Sequence, residues 1–114
     1  MRGLILLILA LITSVIILPL GFVYQIVTVL LKNCNTYLFK IAQSIDQLGN
    51  VICTNLFNDI LISKKSVYKF GDEDETISSV LGKNKSADTL TFIGKWLAIF
   101  LNKIEKDHVE KAIE

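Results

Sequence analysis

Residues 3–31 carry no charged side chain, whereas from Lys32 onward apolar and polar positions alternate with a helical period. At about 1.5 Å of rise per residue, a helix over the first run is longer than the ~30 Å hydrocarbon core of a bilayer, so it predicts one membrane span. Thr13, Ser14 and Thr28 interrupt the run at little cost, because their hydroxyls can return to helix carbonyls. Pro19-Leu20-Gly21 leaves a re-entrant hairpin open, and a cleaved signal peptide is a third reading. Against that third reading, Arg2 is the only basic residue before the run and no A-x-A site follows it.

Leu38, Ile41, Ile45, Leu48 and Ile52 recur at three- and four-residue steps and predict a helix over residues 36–48. This helix could lie on the membrane surface, continuing from the anchor. Interfacial helices are usually rich in Lys or Arg, however, and this one has only Lys40, so its apolar face is expected instead to pack inside a small domain. Ile60-Leu61-Ile62 and Val67-Tyr68-Lys69-Phe70 are β-prone and flank Ser63-Lys64-Lys65-Ser66, which predicts a short hairpin; a continued helix is the alternative. A helix over residues 75–81 follows, its start capped by the carboxylates of Gly71-Asp72-Glu73-Asp74-Glu75 and its end at Gly82. The clearest soluble helix covers residues 91–102. Ile93, Leu97, Phe100, Leu101 and Ile104 form one face and Phe92, Trp96 and Ile99 a second. This is the pattern of a helix buried in a core, which is expected, or touching lipid or a partner, for which Trp96 beside Lys95 would suit a membrane interface. Asp107 and Glu110 have the spacing of a capping box.

The fold class is therefore mainly α: residues 1–32 form a transmembrane anchor, and residues 33–114 a small, mostly helical domain with room for one short β-hairpin. About 80 residues outside the span are near the lower limit for one independent core. The chain is 52% hydrophobic and its net charge is +1, so no global field draws it to nucleic acid, and no nucleic-acid partner is expected. Cys34 and Cys53 allow one bridge at most and read as reduced, small hydrophobes. Lys32 and Lys40 against Arg2 lean toward a cytoplasmic C-terminal domain.

Little catalytic chemistry stands out. The acidic run does not match a calcium loop, because Ile77 occupies the position that needs glycine and no Glu stands at the twelfth place. Gly82-Lys83 lacks the rest of a phosphate loop, and Ser78 and Ser79 lie in neither a G-x-S-x-G nor an S-x-x-K context. One histidine, His108, and two separated cysteines define no zinc site. No enzyme, metal or cofactor is expected.

Three segments nonetheless have a counterpart. Ile45-Asp46-Gln47-Leu48-Gly49-Asn50, then Asp74-Glu75-Thr76-Ile77-Ser78-Ser79, then Asp107-His108 with its Glu-Lys-Ala-Ile-Glu tail resemble a family of small, uncharacterised bacteriophage and prophage proteins. Members of that family read "LD-x-L-x-N", "DETISS" and "DHC-x-x-S-I-E" in this order. The resemblance covers residues 41–114. It implies a phage origin and a bacterial host, and so the host inner membrane as location. Val109 stands where the family has Cys, which removes the thiol of any thiol–imidazole pair, and the basic residue after the paired serines comes late, at Lys83. Asp74, Glu75, Thr76, Ser78, Ser79 and His108 match and form the candidate interaction or structural motif. The expectation is an envelope-associated accessory of lysis or membrane remodelling, with the lipid bilayer as its first partner. The alternative is an anchored module that binds a phage or host protein.

Overall fold

The computed structural model describes residues 1–29 and 34–114, and these form six helices: α1 (Arg2–Val29), α2 (Cys34–Ile52), α3 (Thr54–Ile60), α4 (Ile77–Ser86), α5 (Phe92–Ile104) and α6 (His108–Lys111). The expected domain boundary at residues 32 and 33, and Lys32 with its bearing on orientation, lie outside the described residues. Contacts divide the chain into two units, Met1–Phe39 and Lys40–Glu114.

The first unit is α1 and the start of α2. The re-entrant hairpin does not occur: α1 runs unbroken with Pro19 inside it. Thr13 and Ser14 donate to the carbonyls of Leu9 and Ala10 at 2.7 and 2.6 Å, and Thr28 to that of Gln25 at 3.0 Å, so the polar interruptions are satisfied within the helix. None of the side chains over this stretch is buried by protein. Within a 27-residue span, Arg2–Thr28, the mean hydropathy of an 18-residue window reaches 2.9, so α1 is long and apolar enough to cross a bilayer.

The second unit is built around Leu61, Ile62, Phe70, Val80, Leu81, Leu90, Ala98 and Val109, with Phe57, Ile77, Leu97 and Leu101 packed at the margin. Phe57 and Phe70 meet edge to face with ring centroids 5.4 Å apart. The expected hairpin is absent from the described residues. Ile62 instead bridges Leu90 in antiparallel sense, with Ser63 donating to Thr89 O and Thr91 to Leu61 O. In the expected second strand, backbone groups of Tyr68 and Phe70 are engaged by asparagine side chains instead. Asn58 Nδ2 donates to Phe70 O and its Oδ1 accepts from Phe70 N, while Asn84 Nδ2 donates to Tyr68 O.

Two helix expectations are corrected by packing. The helix over residues 75–81 starts later and does not close at Gly82: α4 continues to Ser86. Gly82 is where α6 crosses, and a Cβ there would fall on the carbonyl of Val109, far inside contact distance. Gly94 of α5 plays the same part against the Leu61 carbonyl. Nor is α5 a core helix throughout. Gly94 and Ala98 are buried and Leu97 and Leu101 face the core, but Phe92, Ile93, Trp96, Ile99 and Phe100 are exposed.

The apolar face of α2 gives the largest correction. Ile45, Leu48 and Ile52 are 63%, 57% and 71% exposed, whereas Asn50 is fully buried. The domain takes up the polar side of this helix, through side-chain hydrogen bonds.

Because the α4–α6 crossing depends on a bare backbone, Gly82→Ala should destabilise the domain by about 1–3 kcal/mol through overpacking. Thermal unfolding of the detergent-solubilised full chain measures this; an unchanged midpoint would mean that α6 can move aside at no cost.

Candidate functional site

The start of α4 gathers most of the motif residues. Thr76, not one of the preceding carboxylates, is the N-cap: its Oγ1 accepts from Ser79 N at 3.1 Å. The carboxylate that does help comes from α2, where Asp46 Oδ1 accepts from Ile77 N at 3.3 Å. Gln47 donates to Asp74 O, and Asn50 Nδ2 donates to Asp72 O and Glu75 O at 3.0 and 2.7 Å while its Oδ1 accepts from Gly71 N. Asp74 therefore joins through its backbone, and its own side chain is exposed.

Two side-chain chains leave this helix start. In the first, Ser79 Oγ donates to Glu75 Oε2 at 2.7 Å and accepts from Glu114 N at 3.0 Å, and Glu75 pairs with Lys83. Glu114 Oε1 also accepts from Thr76 N at 3.2 Å, so the C-terminal tail lies against the same turn. In the second, Ser78 Oγ is 3.0 Å from His108 Nε2, and His108 Nδ1 is 3.0 Å from Glu105 Oε2. The hydrogen bond from His108 is the main reason the Glu105 carboxyl is held below its ordinary value. In the neutral tautomer that donates from Nδ1 to the carboxylate, Nε2 accepts from Ser78.

Hydroxyl, imidazole and carboxylate in this order are the arrangement of an acyl-transfer triad. What surrounds them differs from a triad's setting. Ser78 is only 5% exposed and sits inside the first turn of a helix. Two cavities lie along α5, one of about 320 Å³ lined by Trp96, Ile99, Phe100 and Lys103, and neither is lined by Ser78. The relay links α4, the end of α5 and the start of α6. Among the described residues no group of three His, Cys, Asp or Glu side chains could hold a metal. Cys53 is a free thiol, and the Cys34 side chain lies outside the described residues.

The capping box at residues 107–110 is not formed. Asp107 adopts a left-handed backbone (φ 56°) and makes no side-chain cap, and Asn102 Oδ1 accepts from Val109 N in its place. Glu110 turns outward to Lys85 and Asn102. The hydrogen bond from Lys85 leads the causes that lower its carboxyl.

The structure therefore brings Glu75, Thr76, Ser78, Ser79 and His108 together. It also adds Asp46, Asn50, Glu105 and Glu114, which sequence reasoning did not place in the site. The three resembling segments are the ones that meet here. No family model, no curated protein and no solved structure matches this chain.

If the Ser78–His108–Glu105 relay is a clamp, Ser78→Ala leaves the imidazole without its partner and should cost about 1–3 kcal/mol. A fluorophosphonate should leave Ser78 unmodified in the intact protein; covalent labelling of Ser78 would instead identify a nucleophile. A second expectation concerns acid. The Glu110 carboxyl is lowered from about 4.5, so its contribution is complete above that value and is lost as pH falls through the folded-state value. Glu110→Gln should lower the thermal midpoint at neutral pH and flatten its fall below about pH 4.5, because the contribution it removes is present only while the carboxylate is ionised.

Proposed function

We propose that this chain is a membrane-anchored accessory protein of the bacterial envelope, of phage origin and active in lysis or membrane remodelling. On this reading α1 is retained as a span and the unit Lys40–Glu114 is carried on the cytoplasmic side. The observation that carries the reading is α1 itself: 27 residues of high hydropathy with no burial against protein. A helix of that composition is stable in hydrocarbon, where all its backbone groups are satisfied internally, and is poorly accommodated in water. The phage assignment rests on the resemblance of residues 41–114.

A second reading, an anchored module that binds a phage or host protein, is favoured by α5. Phe92, Trp96 and Phe100 stand exposed on a helix otherwise fixed to the core. Aromatic anchors of this kind dominate protein–protein binding energy.

Expression in a bacterial host tests both. The anchored reading expects the protein in the membrane pellet after alkaline carbonate extraction, with intact mass and a domain protected from protease in spheroplasts. A soluble product shortened by about 20–30 residues would identify α1 as a signal peptide. Trp96→Ala should leave anchoring unchanged. Loss of a co-purifying protein in that variant would select the second reading.

A further inference from the structure

The two faces of α2 have been used in the reverse of the usual way. At 3.6 residues per turn, Asp46, Gln47 and Asn50 lie on one side of the helix and Ile45, Leu48 and Ile52 on the other. The polar side chains are bonded to residues 71–77, and Asn50 is fully buried with its amide nitrogen and oxygen both engaged. The helix cannot roll to bury its isoleucines and leucine without stranding that amide, which is costly. The apolar stripe therefore faces outward by construction.

We propose that this stripe is a membrane-surface contact: α2 lies in the plane of the bilayer interface with Ile45, Leu48 and Ile52 inserted among the lipid headgroups and upper acyl chains. The proposal rests on the reading that α1 spans. Only residues 30–33 separate α1 from α2, and a connection of that length reaches at most about 17 Å. The start of the first helix outside the membrane is thereby held in the interfacial zone, and Ile45, Leu48 and Ile52 follow within about 27 Å of it along the helix. Confinement makes docking intramolecular, so a modest apolar contact is enough. That also accounts for the lack of basic residues, which free amphipathic helices need for capture by anionic lipid: α2 has Lys40 alone. The stripe has none of the Trp, Tyr or Arg that anchor protein partners, which favours lipid over a second chain.

The test uses the full chain reconstituted in phosphatidylcholine vesicles, with Trp96→Phe as background and a single reporter from Leu48→Trp. Alkaline washing of the vesicles first establishes whether α1 is anchored. In anchored protein, lipids brominated near the top of the acyl chain should quench the reporter by about twofold or more. The quenching should be the same with and without added phosphatidylglycerol. Ile52→Trp, on the same face, should behave alike and guards against a local effect of one substitution. Anchored protein whose two reporters remain unquenched would overturn the proposal, as would reporters protected only at high protein density, the signature of a second copy. Protein removed by the wash would instead overturn the spanning reading.

Discussion

The second unit depends on buried asparagine amides. Residues 61–76 have almost no regular backbone pairing, yet they wrap the core, and their peptide groups need partners there. Asn50 and Asn84, both fully buried, and the half-buried Asn58 supply them. Asn84 alone joins Val80, Tyr68, Ser66 and Thr89. An amide offers two donors and two acceptor sites on a short rigid stem, so one side chain can stand in for a missing strand. The buried side-chain polar atoms among the described residues all have partners, as such a network requires.

This mode of construction explains why so few apolar residues suffice. Eight buried hydrophobic side chains form the core, while Ile45, Leu48, Ile52, Phe92, Trp96 and Phe100 stay outside it. The domain spends its polar face on cohesion and leaves apolar surface for its surroundings. That leaves several large apolar side chains exposed on α2 and α5.

The sequence was legible wherever one local signal decided the outcome. The unbroken apolar run marked α1, and Thr91 followed by a dense apolar segment marked α5, whose N-cap is that threonine. It was not legible where two faces competed. A helical wheel separates Ile45 from Asp46 but does not say which side meets the rest of the fold, and in α2 the hydrogen-bonding side prevailed. Gly82 read as a stop because the close approach of Val109 is a long-range fact. In the site, Thr76, Ser78, Ser79 and His108 were found through their motif, whereas Glu105 lay three residues before His108 with no pattern to mark it. The Asp107–Glu110 spacing suggested a cap, but Asn102 and Lys85 offered those groups stronger partners.

The tail has a consequence for the order of events during synthesis. Glu114 reaches back to Thr76 and Ser79, 38 and 35 residues earlier, and Asn50 waits for residues 71–75. Contacts of such separation form slowly, because the intervening loop must close first. The α4 helix start therefore stays incomplete until Glu114 has emerged from the ribosome, long after α1 has done so.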